Sequence, residues 1–375
     1  MADPSKNEAT RVVRAGLPGF EQGTPFLPGP TFAAPYHFEG APETSDYVYG
    51  RYGNPTWSRY EAALAELEGG TVLLFSSGMA AAAAILLPRL RPGDVLVAPN
   101  DCYMGVRQLM RDYLGERGVE VRLLPTADPG FADAIDGASL VWLETPSNPG
   151  LDVCDLRVLI DRAHATGAPV AVDNTFATPL GQRPLELGAD FAMASASKYL
   201  SGHADIIMGY VAAADPADAE ALLDWRIHAG AVPGPFEVWL AHRSLATLEM
   251  RLDRAVQTAQ ALAERLAGRD DLEAIRYPGL LSDPAHQIAS KQMSRYGAIV
   301  CFTLPSEEQA DRFLSACRLV NVSTSFGGVH TSAERRGRWG GDEIAAGFIR
   351  LSVGCEDPAD VIADVEQALD TAASR

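Results

Sequence analysis

VAVDNTFATPLGQRPLELGADFAMASASK spans Val170–Lys198. It holds two short apolar runs, Val170–Asp173 and Phe191–Ala194, each closed by polar residues: Asp173-Asn174-Thr175 after the first, Ser195-Ala196-Ser197-Lys198 after the second. Continuous apolar runs of this length, rather than alternating ones, read as strands buried on both faces, which belong to parallel sheets covered by helices. Five more runs repeat the pattern: Thr71–Phe75, Val95–Ala98, Val119–Leu124, Leu140–Glu144 and Ile206–Ala212. Helical or loop stretches separate them. The predicted fold class is α/β, with a large domain built on a mostly parallel seven-stranded sheet sandwiched by helices. Such sheets bind ligands at the C-terminal ends of their strands, so the polar residues after each run are the candidates for chemistry.

Upstream, Asn54-Pro55 reads as an N-cap followed by proline in the first helical turn, with Trp57, Tyr60, Leu64 and Leu67 as the apolar stripe and Gly69-Gly70 as the stop. Residues 1–50 are rich in Pro and Gly and lack periodicity, which predicts an arm. A chain of 375 residues is too long for one core. Downstream, a long helical pattern over Pro235–Leu266 leads to strands at Ala298–Leu304 and Phe348–Val353 and helices at Glu307–Cys317 and Pro358–Thr371, a smaller α+β domain. The expected division is an arm over 1–50, the sheet domain over 51–245 and the α+β domain over 246–375.

Composition narrows the function. A net charge of −18 argues against nucleic acid as a partner, because phosphate backbones need clustered Lys and Arg. Arg335, Arg336 and Arg338 form one small knot, read as a solvated loop. No apolar run reaches the roughly 20 residues of a membrane span, and Met1–Arg14 lacks an apolar signal core, so a cytoplasmic location without membrane partners is expected. The five cysteines are odd in number and form no CxxC pair, which predicts free thiols and no metal site.

Three strand ends carry compatible signals. Ser76-Ser77-Gly78-Met79 joins a strand to an Ala-rich helix, where backbone N–H groups either cap the helix or bind a phosphate. Asp173 either caps the next helix or holds a pyridine nitrogen protonated, as pyridoxal-phosphate chemistry requires. Lys198 sits beside two hydroxyls spaced by one residue. The chain has only three lysines among its 31 basic residues, and Lys6 lies in the arm while Lys291 lies far from the strand ends. Elimination leaves Lys198 as the amine able to form an imine.

At this level the chain resembles the transsulfuration (Cys/Met metabolism) family of fold-type I pyridoxal-phosphate (PLP) enzymes. The matching stretches, in order, are Tyr49-Gly-Arg-Tyr-Gly-Asn-Pro-Thr56, Ser76-Ser-Gly-Met79, Glu144-Thr-Pro-Ser-Asn-Pro149, Val172-Asp-Asn-Thr175, Ser195-Ala-Ser-Lys198, Ser325-Phe-Gly-Gly328 and Arg350-Leu-Ser-Val-Gly354. The resemblance implies that Lys198 holds PLP covalently and that Asp173 pairs with its ring nitrogen. Gly78 and Met79 through their backbone, and Ser195 and Ser197 through their side chains, would hold the phosphate, with Tyr49 and Arg51 reaching in from a neighbouring subunit. Tyr103 would stack on the ring and Asn148 would lie near its hydroxyl. Arg350 would grip the substrate α-carboxylate with Ser325 and Asn148 nearby. The implied assembly is a homotetramer, a dimer of dimers with shared active sites.

The resemblance further implies a carbon–sulfur lyase, most like cystathionine γ-lyase, giving cysteine, 2-oxobutanoate and ammonia from L-cystathionine. Methionine γ-lyase and cystathionine γ-synthase (γ-replacement on an O-acylhomoserine) are the near alternatives, and a PLP-binding scaffold without turnover is the remote one. Two positions depart from the family pattern. His330 stands where cystathionine enzymes commonly carry Glu, near the far end of the substrate. Gly105 stands where methionine γ-lyases usually carry Cys.

Overall fold

The computed structural model describes residues 6–374. Its larger sheet has seven strands: β1 (Thr71–Phe75), β2 (Val95–Pro99), β3 (Glu120–Leu124), β4 (Leu140–Glu144), β5 (Val170–Asp173), β6 (Phe191–Ala194) and β7 (Gly209–Ala213). They lie in the order β1-β7-β6-β5-β4-β2-β3. Every pairing is parallel except those of β7, which runs antiparallel between β1 and β6. The strands β4 to β7 are buried along their whole length. Leu96, Leu140, Trp142 and Phe191 pack toward one layer of helices, while Val97, Val141, Leu143 and Val172 pack toward the other. This explains why the runs are apolar throughout instead of alternating.

The helix Pro55–Glu68 begins and ends as its sequence predicts. Asn54 accepts the Thr56 N–H at 2.8 Å, and Gly69 closes the helix with φ +87°. Its stripe of Trp57, Tyr60, Leu64 and Leu67 is buried. The pattern over 235–266 resolves into two helices, Pro235–Leu245 and Leu248–Leu266, broken at Ala246–Thr247.

The second sheet has five strands, β8 (Ala274–Arg276), β9 (Ile299–Thr303), β10 (Asn321–Val322), β11 (Ser332–Arg335) and β12 (Phe348–Ser352), in the order β10-β11-β12-β9-β8. Sequence periodicity shows β9 and β12 but misses the other three, which are short. One continuous core joins the two sheets, running from Trp57 and Leu64 through Tyr199 and Leu248 to Phe302 and Leu351.

Two expectations are corrected here. The first fifty residues are not wholly irregular: Glu8–Arg14 is a helix whose Val12 is buried, and Glu8 pairs with Arg295 at 2.5 Å. Arg11 also donates to the Glu66 carbonyl at 2.6 Å, and Ala15 is buried beside His242, so this short helix sits on the body. The arginine knot is also not a solvated loop. Arg335 and Arg336 are buried in ion pairs, the first with Glu307 and Asp311, the second with Glu334 and Asp342. Among the described residues no helix is long and apolar enough to cross a membrane.

Candidate active site

The C-terminal ends of β1, β4, β5 and β6 build one site, with β12 and the loop before β11 facing it. The end of β1 runs into Ser77, whose hydroxyl accepts the Ala80 N–H at 3.0 Å and so caps the helix Gly78–Arg89. A Cβ at Gly78 would stand 2.8 Å from the Ser195 Cβ, and one at Gly209 would stand 2.4 Å from the Ser77 carbonyl oxygen. Only glycines let the helix N-terminus, Ser195 and the start of β7 come this close. The result is a small cradle of N–H groups and a hydroxyl at a helix N-terminus, which fits a phosphate. Ser197 is differently engaged. Its hydroxyl donates to the Met208 carbonyl at 3.2 Å and accepts the Met208 N–H at 2.9 Å, so donating to a phosphate requires giving up the first bond.

Asp173 ends β5. Its Oδ1 accepts the N–H of Thr175 at 3.0 Å and the Thr175 hydroxyl at 2.5 Å. Thr175 in turn accepts the Ser195 N–H at 2.9 Å, tying the ends of β5 and β6 together. Burial pushes the Asp173 carboxyl up to about 6, with the two Thr175 hydrogen bonds pulling the other way. Among the described residues, no cation figures in what shifts it. A buried carboxyl in want of a cation fits the protonated ring nitrogen of PLP.

Lys198 stands on the turn after β6. Its Nζ donates to the Ser325 hydroxyl at 2.6 Å and lies 5.2 Å from the Phe326 ring centroid. Burial, then the positive charge of Arg350, lowers this amine to about 8, with Glu334 opposing. Such an amine is partly neutral near pH 7 and can attack a carbonyl or take a proton. The loop carrying Ser325 is held against the lysine's own backbone, because a Cβ at Gly327 (φ +81°) would meet the Tyr199 nitrogen at 2.7 Å.

Arg350, on β12, is buried. It donates to Asn148 Oδ1 at 2.7 Å, to the Ser325 carbonyl at 3.2 Å and to Glu334. Lys198, Ser325, Asn148 and Arg350 thus form one connected cluster, with a fixed guanidinium across from a reactive amine. Tyr103 follows β2, and its N–H donates to Glu144 at 2.7 Å. A Cβ at Gly105 would stand 2.8 Å from the Tyr103 ring and 3.1 Å from Met79 Sδ, so ring, methionine and glycine lie together. Tyr103 keeps 44% of its surface, leaving it free to cover a flat ligand.

Three expected residues stand apart from that cluster. Arg51 donates to the Ile227 carbonyl at 2.9 Å and lies over the rings of Tyr49 and Tyr52 at 5.7 and 5.1 Å. Among the described residues, neither Tyr49 nor Arg51 bonds to Lys198, Asp173 or Arg350. His330 is exposed, on a loop pinned to the lysine turn by Val329 N–H donating to Gly202 at 2.8 Å.

Sequence reading missed Glu334, Thr175, Glu144 and Phe326. Glu144 could have been found, since it ends an apolar run as Asp173 does and sits opposite it in register. Burial, then repulsion from Asp173, raises its carboxyl well above the usual range. Glu334 has no local signal, because it meets Arg350 only through the antiparallel pairing of β11 with β12.

Residues 24–370 match the family model described as Cys/Met metabolism PLP-dependent enzyme. A Streptomyces coelicolor protein named "Putative cystathionine gamma-lyase" is 56% identical over 368 residues, covering 97% of this chain and 93% of that one. The L-methionine gamma-lyase of Pseudomonas putida is 37% identical, with 97% and 98% covered. Among solved structures, the cystathionine gamma synthase of Xanthomonas oryzae pv. oryzae in complex with cystathionine superposes with a TM-score of 0.92 at 33% identity, covering 98% of both chains.

Proposed function

From the premise that this chain belongs to the Cys/Met metabolism PLP-dependent enzymes and has their fold-type I architecture, we propose that it is a γ-lyase acting on L-cystathionine. The chain is a PLP-dependent lyase or synthase of the sulfur amino acids. The proposed reaction consumes cystathionine and water and yields cysteine, 2-oxobutanoate and ammonia.

The observation that carries γ-chemistry is the Lys198–Ser325–Arg350–Asn148 cluster. Bound PLP supplies an electron sink for the bond to the substrate Cα hydrogen. In this reading Arg350 pairs with the α-carboxylate, and Asn148 and Glu334 stop the guanidinium from turning away. Lys198, held at about 8 by burial and Arg350, would take the Cα proton and then a Cβ proton, so that the Cγ–S bond can break, and would return a proton to the departing sulfur. Ser325 holds the amine between these positions. Asp173 would keep the ring nitrogen protonated, and Ser195, Gly78 and Met79 would hold the phosphate.

The observation favouring cystathionine over methionine is Gly105. A Cβ there would crowd the Tyr103 ring and Met79, so a cysteine at this position needs both side chains to shift. The names of relatives do not separate the two: the same Micromonospora echinospora protein is called a methionine gamma lyase in one structure and a "cystathione gamma lyase" in another. Domain limits near 50 and 245, a cytoplasmic location and a homotetramer with shared sites complete the proposal. Phe20, Phe26, Phe32 and Phe38, all exposed along the arm, support its packing on a second copy.

The test is product analysis with cystathionine, with methionine, and with an O-acylhomoserine plus cysteine. The expected result is 2-oxobutanoate and cysteine from cystathionine at the highest kcat/KM of the three. A preference for methionine, or net formation of cystathionine in the third assay, overturns the substrate assignment.

A further inference from the structure

Behind the proposed carboxylate grip lies a chain of buried charges that the reaction does not explain. Arg350 bonds Glu334. Glu334 also accepts from Arg336 at 3.2 Å and from the Trp339 indole N–H at 2.8 Å. Arg336 reaches Asp342 at 2.7 Å, and Asp342 pairs in turn with Arg107. Arg107 finally donates to the carbonyl of Asn100, at the end of β2, three residues before Tyr103. The side chains of all five charged groups are at least nine-tenths buried. Three carry positive charge and two negative, leaving one positive charge over. A substrate carboxylate on Arg350 would neutralise the row.

We propose that Asp342 is a positioning residue that couples carboxylate binding at Arg350 to the placement of the Tyr103 segment. The inference rests on the reading of Arg350 as the carboxylate site. Asp342 belongs to the loop between the short helix Arg336–Trp339 and β12, where Gly340 and Gly341 both have positive φ. This loop meets residues 100–111 at Met104, whose Sδ would lie 3.6 Å from a Cβ at Gly341. A cavity of about 450 Å³, lined by Asn100, Arg107, Pro149, Gly341, Asp342 and Ile344 among others, opens between them. The ion pair bridges that gap. A buried pair that loses one partner leaves the other charge uncompensated, so breaking it releases the loop instead of merely trimming a contact. Trp339, half exposed and with its indole N–H on Glu334, reports on the same loop.

The experiment is a cycle in the holoenzyme that crosses Asp342→Asn with removal of the ligand's carboxylate. Binding of glycine and of glycinamide is followed by the visible band of the bound cofactor, so turnover and the choice of γ-substrate do not enter. Wild type prefers the acid, and Asp342→Asn cuts that preference about tenfold, within the usual range of coupling between sites. Asp342→Glu, which keeps the charge, restores most of it. In the cofactor-free protein, acrylamide quenching assigned to Trp339 by difference from Trp339→Phe rises in Asp342→Asn. Equal weakening of acid and amide, or no change in either, overturns the inference. A wild type that does not discriminate acid from amide instead overturns the reading of Arg350. Failure of cystathionine cleavage with the glycine cycle intact overturns only the substrate assignment.

Discussion

At the scale of single residues, the lysine count and the burial of Asp173 give the sharpest expectations. Lys198→Ala should fold normally and lose covalent attachment of PLP. The check is borohydride treatment, which should leave no cofactor on the variant; a label retained on Lys6 or Lys291 would refute the assignment. Asp173 makes a pH prediction. An unfolded aspartate titrates near 3.9, and the folded, cofactor-free protein holds this one near 6. Between those values the folded state carries the extra proton, so this group's contribution to stability is most favourable below about pH 4 and declines as pH rises through 6. The decline reaches an upper bound of about 3 kcal/mol at pH 7. Asp173→Asn, without cofactor, should therefore be more stable than wild type at pH 7, with the difference vanishing toward pH 4, while its PLP affinity falls at least about tenfold. Urea unfolding across that range and cofactor titration measure both. A gap that does not change with pH would sink the idea. Glu144 and Asp173 face each other in register, two buried carboxyls at one sheet edge. A positive group against these strand ends, as a PLP ring nitrogen would be, would favour the ionised carboxylates.

At the scale of elements, glycines and caps bring the strand ends within reach of one another. Gly327 takes φ +81° with the Tyr199 nitrogen 2.7 Å from where a Cβ would go. Gly327→Ala meets both left-handed strain and a backbone clash, so it should cost about 1–3 kcal/mol and pull Ser325 away from Lys198. The reading is a lower Tm together with a lowered pH at which PLP attaches, because the protonated amine loses its hydrogen-bond acceptor. A variant with unchanged Tm would show the loop to be more pliable than its packing implies. Ser77→Ala removes a helix cap at the phosphate cradle and should cost about 1 kcal/mol, with weaker PLP binding. Only one of these two features was legible in the sequence. The cap could be read from Ser-Ser-Gly-Met at a strand's end, whereas the loop's contact with the lysine turn could not, since 127 residues separate Lys198 from Ser325.

At the scale of the whole molecule, Tyr49 and Arg51 sit with the arm and do not bond to the Lys198 cluster of their own chain. If they serve a second copy, mixing Arg51→Ala subunits with Lys198→Ala subunits should restore activity, because one hybrid site then has both residues intact. In statistically mixed dimers about a quarter of sites should be fully equipped. Absence of recovery in demonstrably mixed dimers would place each site within one chain. The exposed Phe20, with 97% of its surface free, shows where the arm would find apolar cover.

The sequence by itself determined the sheet and its chemistry. Apolar runs buried on two faces mark a sheet covered on both sides, and a mostly parallel one presents its strand ends as a site. The three-lysine count and the acid ending β5 then singled out Lys198 and Asp173. Boundaries held to within a few residues for the long elements because local caps set them. Tertiary structure alone decided the rest. The short strands β8, β10 and β11 have too few residues to show a period. Glu334 becomes Arg350's partner only through antiparallel pairing across a turn of the chain. The buried row from Arg350 to Arg107 joins residues separated by more than two hundred positions, and Arg336 reads as a solvated surface charge until Glu334 and Asp342 are found around it. Burial of charge depends on partners that distant segments bring, and local sequence carries no record of where those segments fold.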